Sequence, residues 1–109
     1  MNYFSTRNSR IDKTFDQIII EGLSADGGLF MPKSWPKINL NNLIDNKGLT
    51  YADLASTILI NFVGETISMS ELDIISKESF KNFSHKEVAP LVEISKGKYI
   101  LELFHGPTY

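Results

Sequence analysis

Up to His85 the apolar residues recur mostly at helical spacing, and beyond it they alternate. Residues 2–5 read as a short strand. Thr14 then opens a helix. The spacing Thr14-x-x-Gln17 is a capping box, in which each side chain satisfies an otherwise orphaned backbone N–H. Phe15, Ile18, Ile19 and Leu23 fall on one face of that helix, and Gly22 stands near its end. Asp26-Gly27-Gly28 is a turn with two residues free to take positive φ. A brief apolar strand follows, Leu29-Phe30-Met31, closed by Pro32.

Residues 34–37 are predicted extended, because Trp35 precedes Pro36 and is pushed out of the helical region. Residues 39–47 read as a short helix with Leu40, Leu43 and Ile44 inward, ended by Gly48. Thr50 caps the clearest helix, on which Tyr51, Leu54, Ala55, Ile58, Leu59 and Phe62 repeat at 3.6 spacing before Gly64 ends it. Another helix starts near Ser68 or Ser70, with Glu71 placed to complete a capping box to Ser68. Leu72, Ile75, Phe80 and Phe83 face inward. Leu91 to Ile94 and Tyr99 to Phe104 then read as strands joined by a hairpin turn at Ser95-Lys96-Gly97-Lys98. The predicted class is α+β: a mostly helical domain with short strands over residues 1–83, then, over 84–109, the first hairpin of a sheet that continues elsewhere.

Composition adds exclusions. At 109 residues the chain can build one small domain with a modest core. Its 42% hydrophobic and 22% charged content is ordinary for a folded protein, and the net charge of −2 with scattered lysines gives no footprint for nucleic acid or an anionic membrane. There is no cysteine, so disulfides, thiolate nucleophiles and Cys-based metal sites are ruled out within this chain. Neither a signal peptide nor an apolar run near the ~20 residues of a membrane span is visible. The expected compartment is the cytoplasm.

Three motifs carry candidate chemistry, each with a plain structural alternative. In His105-Gly106-Pro107-Thr108, glycine lets backbone approach a ligand and proline stiffens the loop. A histidine such as His105 is of a type that can titrate near neutral pH or donate to an anion, and Thr108 can cap a following helix whose N-terminus attracts phosphate. The alternative is a strand end whose histidine packs and hydrogen-bonds structurally. Asp26-Gly27-Gly28 can form an anion nest, but no Lys or Arg follows it, and a turn needing positive φ is the favoured reading. Ser5-Thr6-Arg7 can bind phosphate; the favoured reading is that it satisfies backbone groups at a strand end and pairs with a carboxylate such as Asp12 or Asp16. His85 is placed at a helix exit, where the dipole favours a cation. No His-x-x-His spacing supports a metal, and nothing pairs Glu87, Glu93 or Glu102 as acid and base. Trp35 and most other aromatics read as packing.

Taken in order, several pieces resemble the N-terminal part of the threonine synthase family, pyridoxal-phosphate enzymes of fold type II. They are Tyr3-Phe4-Ser5-Thr6-Arg7, Asp26-Gly27-Gly28-Leu29-Phe30, Pro32 with Trp35-Pro36, Leu49-Thr50-Tyr51, Phe62-Val63-Gly64-Glu65-Thr66-Ile67 and Val88-Ala89-Pro90-Leu91. The most specific is Leu101-Glu102-Leu103-Phe104-His105-Gly106-Pro107-Thr108. Family members differ where Tyr109 stands, often with a smaller or aliphatic residue, and the Asn-rich segment 39–46 is loosely patterned. The resemblance implies that residues 84–109 begin an α/β catalytic domain, and that the lysine forming the Schiff base with pyridoxal 5'-phosphate lies just beyond Tyr109. It implies no catalytic residue in this chain, a pocket lined by His105 and Thr108, and O-phospho-L-homoserine as the small-molecule substrate, converted with water to L-threonine and phosphate. The chain alone is then inactive and holds no covalent cofactor. Its uncovered segment 99–104 is expected to self-associate. Two rivals stand beside this: a non-catalytic binding module, and a threonine-synthase-like phospho-lyase that releases a keto acid.

Overall fold

A computed structural model describes residues 1–45 and 48–108. β1 (Asn2–Ser5) is the centre of a three-stranded antiparallel sheet of order β2-β1-β3, with β2 spanning Asn8–Thr14 and β3 spanning Phe30–Pro32. Tyr3 lies opposite Lys13 on one side and Pro32 on the other. The sequence reading missed β2. Its residues, Asn-Ser-Arg-Ile-Asp-Lys-Thr, carry one aliphatic side chain among polar ones. Such an edge strand is held by its ladder to β1, and its charges discourage pairing with a second chain.

Tyr3 and Ser5 of β1 point into the core and are buried. The Tyr3 hydroxyl donates to the Phe62 carbonyl at 2.6 Å, tying the sheet to the helix α3 (Tyr51–Val63). α1 (Phe15–Glu21) starts at the expected capping box, Gln17 Oε1 accepting from Thr14 N at 3.0 Å. It ends at Glu21, two residues before Leu23, and Ile19 and Leu23 stay exposed. α2 (Leu40–Asp45) is present, but Leu40 faces solvent. The expected end of that helix at Lys47 and the expected inward side chain of Ile44 lie outside the described residues, as does Tyr109.

α3 and α4 (Met69–Phe80) both begin in capping boxes, Thr50 with Asp53 and Ser68 with Glu71. The face α3 buries is Ala52, Ser56 and Val63, not the apolar stripe read from spacing. Against it α4 buries Leu72 and Ser76. Ser56 donates its hydroxyl to the Ala52 carbonyl at 2.7 Å. The stripe itself, Tyr51, Leu54, Ala55, Ile58 and Leu59, lines an open groove of about 300 Å³ with Phe80. Of the face expected on α4, Leu72 is buried and Ile75 is exposed, and Phe83 lies past the helix end.

The hairpin of β4 (Leu91–Ser95) and β5 (Lys98–Leu101) follows, turning at Lys96-Gly97, with Gly97 at φ +74°. β5 stops at Leu101, short of the expected Phe104, and a register irregularity sits between Glu93 and Ser95. Every residue of both strands is exposed. The radius of gyration, 16.6 Å, exceeds the roughly 13 Å of a compact domain near this length. The hairpin therefore extends from the body instead of adding to its core.

Candidate functional site

The body and the hairpin meet at the segment after α4. Phe83, Ser84 and His85 come from that segment, and Glu102 to Thr108 come from the chain leaving β5. Ser84 N donates to the His105 carbonyl at 2.9 Å, and Glu102 N donates to the Pro90 carbonyl at 3.0 Å. Gly106 sits on the Phe83 ring: a Cβ there would lie 3.3 Å from the ring edge, tighter than most real contacts. Phe83 is the end of an edge-to-face series, with Tyr51–Phe80 centroids 4.9 Å apart and Phe80–Phe83 5.3 Å. Gly106 therefore packs closely on Phe83, and an aromatic series rooted in α3 supports the loop.

His105 is mostly buried, and both ring nitrogens have partners. Nε2 lies 2.6 Å from Glu102 Oε2, and Nδ1 lies 3.2 Å from Ser84 Oγ. Its ring is 5.1 Å from His85 and 4.6 Å from Phe104. His105 is therefore turned toward this chain's own groups. Thr108 is exposed at the loop tip. The fold places the two residues three apart on one loop, with one facing in and the other facing out.

His85 stands beyond the last turn of α4, so the helix dipole does not explain it. Its Nδ1 accepts from Glu87 N at 3.1 Å. Glu93 accepts from Gly97 N at 2.8 Å and so stabilises the hairpin turn, while Glu102 goes to His105. Sequence reading did not single out Ser84, and it missed Glu102 as a partner of His105. The available signal was the i,i+3 spacing of Glu102 and His105, which on a strand end is uninformative without the bend. Val88 is buried and takes φ +63°, a strained conformation for a β-branched residue.

The other two motifs come together elsewhere. Ser5 Oγ donates to Asp26 Oδ1 at 2.8 Å, Gly28 N donates to the same oxygen at 2.9 Å, and Arg7 Nη1 donates to the Asp26 carbonyl at 3.0 Å. Leu29 N donates to Thr6 Oγ1 at 3.0 Å. The Ser5 hydroxyl, then the Gly28 N–H, hold the Asp26 carboxyl below the usual carboxylate range. This is the structural reading of both motifs, with Asp26 in place of the expected Asp12 or Asp16. The nest is filled by the chain's own carboxylate. Asp12 pairs with Lys33 at 2.9 Å instead. Among the described residues no three His, Asp or Glu side chains are grouped to hold a metal, and no helix is long and apolar enough to cross a membrane.

The structure is an α+β body with an aromatic-supported His-Gly-Pro-Thr loop at the base of an exposed hairpin. Residues 2–80 match the family model described as threonine synthase N terminus, and the chain belongs to that family. It is 36% identical over 108 residues to the threonine synthase of Pseudomonas aeruginosa, covering 99% of this chain and 23% of the relative. The threonine synthase of Saccharomyces cerevisiae is 41% identical over 115 residues, covering 98% of this chain and 22% of the relative. The crystal structure of pyridoxal-phosphate-bound threonine synthase from Brucella melitensis superposes with a TM-score of 0.87 at 33% identity, over 98% of this chain and 23% of that one. The chain thus spans less than a quarter of the length of these relatives.

Proposed function

We propose that this chain is the amino-terminal portion of a cytoplasmic threonine synthase, with residues 1–83 as its N-terminal domain and 84–109 as the start of its catalytic domain. The whole enzyme converts O-phospho-L-homoserine and water to L-threonine and phosphate. The observation that carries the reading is the loop of His105 to Thr108. It is rigidly supported from below by Phe83 and Ser84 and open above at Thr108.

Pyridoxal phosphate, when bound, supplies an electron sink for carbanion chemistry on the amino-acid substrate. The residues present fit the rim of such a site. Thr108 offers an exposed hydroxyl to the phosphate or the cofactor edge. His105, occupied on both nitrogens, sets where the loop lies. The lysine that carries the cofactor belongs, in this reading, to sequence following Tyr109.

A phosphate-release assay with O-phospho-L-homoserine and added pyridoxal phosphate tests this. The 109-residue chain releases no phosphate, whereas a polypeptide continuing through the following segment releases phosphate and forms threonine in equal amounts. Turnover by the 109-residue chain, lost on replacing one of its lysines, overturns the reading. A longer polypeptide that releases phosphate together with a keto acid overturns it in favour of a phospho-lyase.

A further inference from the structure

Ser84, Glu102 and His105 are arranged so that both imidazole nitrogens are paired. A carboxylate only accepts, so Glu102 at 2.6 Å requires a hydrogen on His105 Nε2. In the neutral ring the lone pair is then on Nδ1, where the Ser84 hydroxyl donates. Ser84 Oγ is 3.2 Å from Nδ1 and also 3.2 Å from the His105 carbonyl oxygen. The backbone bond from Ser84 N to the same carbonyl fixes Ser84 against the loop, since a carbonyl oxygen has two lone pairs.

We propose that Glu102 and Ser84 are positioning residues for His105: Glu102 fixes its tautomer with the hydrogen on Nε2, and Ser84 pairs the lone pair left on Nδ1. The titratable groups against the ring are Glu102 and His85, and the Glu87 N–H already fills His85 Nδ1. The assignment of hydrogens stands on the chain's own geometry. Its use beside a cofactor rests on the threonine synthase reading above.

The test is a two-bond proton–nitrogen correlation spectrum of the 109-residue chain with ¹⁵N-labelled histidine, at mildly alkaline pH. No substrate or cofactor is present, so a failure here is distinct from a failure of the phosphate-release assay. Wild-type His105 gives one tautomer, with hydrogen on Nε2. Glu102→Gln, whose amide donates as well as accepts, gives a mixture, and Glu102→Asp returns the Nε2–H form. Ser84→Ala leaves the tautomer unchanged. A wild-type ring averaged between tautomers, or carrying its hydrogen on Nδ1, overturns the proposal, as does a folded Glu102→Gln chain with the wild-type pattern. If the Gln variant fails to fold by circular dichroism, the wild-type and Asp spectra decide.

Discussion

Gly28→Ala is expected to be the costliest single-methyl addition in the sheet region, although the φ of Gly28 lies outside the left-handed range. A Cβ at this position would overlap Ser5 Oγ and lie 3.0 Å from Asp26 Oδ1 and 3.1 Å from the Arg7 amide nitrogen. Ser5 is 1% exposed, so its hydroxyl cannot move aside without leaving Asp26. Overpacking of this kind costs about 1–3 kcal/mol, and loss of a hydrogen bond to a charged group about 1.5–3 kcal/mol. One displacement produces both effects, so they overlap, and the expected total is about 3 kcal/mol. At roughly 4–8 °C per kcal/mol for a domain of this size, Tm falls by about 12–24 °C. Gly27→Ala is the control. Gly27 has φ +75° and its Cβ would meet Arg7 Nη1 at 2.8 Å, the far end of a flexible, exposed side chain. Only the left-handed backbone penalises it, by about 1–2 kcal/mol. Thermal and urea unfolding followed by circular dichroism measure both. A Gly28→Ala chain within about 0.5 kcal/mol of wild type, a change typical of neutral surface sites, refutes the packing argument, and so does Gly27→Ala proving the more costly.

Three further outcomes follow from the same geometry. Tyr3→Phe removes the 2.6 Å bond to the Phe62 carbonyl and costs about 1 kcal/mol in urea unfolding. Burial raises the Tyr3 hydroxyl above its usual pKa, so the wild type loses stability as pH rises through the raised value, above about 10, and the variant lacks that loss. In the acid range, Ser5 lowers Asp26, Thr50 lowers Asp53 and Ser68 lowers Glu71 through side-chain hydrogen bonds. Depressed carboxylates stabilise the fold above their unfolded values and lose that contribution as pH falls below about 4; Asp26→Asn should show a shallower acid decline in unfolding midpoint, and an unchanged slope counts against this. The hairpin leaves Tyr99, Leu101, Leu103 and Phe104 more than half exposed, so the chain should form dimers by light scattering as concentration rises, and a monomer at millimolar concentration contradicts this.

The local signals in the sequence proved sufficient wherever a few neighbouring residues decide the structure. The capping boxes at Thr14 and Ser68, the cap at Thr50, the stop at Gly64 and the hairpin turn at Gly97 all form where the residue chemistry places them. Two features depend on distant partners and were not legible. β2 exists because β1 offers it a ladder, and Ile11 alone gives too weak a period to announce it. The buried face of α3 includes Ser56, and that of α4 Ser76; both are poor core residues by hydrophobicity, so apolar spacing pointed to another stripe.

The site divides along the same line. His105 and Thr108 could be marked from the His-Gly-Pro-Thr sequence alone, because glycine and proline constrain the backbone wherever they occur. Which way each side chain faces could not be read, since it depends on the bend after Leu101 and on a segment beginning some twenty residues earlier. That bend returns His105 to Glu102 and Ser84, and it leaves Thr108 as the hydroxyl that faces outward. The loop is therefore held by Phe83 and Ser84, in the segment after α4, and by Glu102, just past β5. A substitution at Ser84 or Phe83, remote in sequence from the His-Gly-Pro-Thr motif, acts on the motif more directly than any change in the exposed strands of β4 and β5.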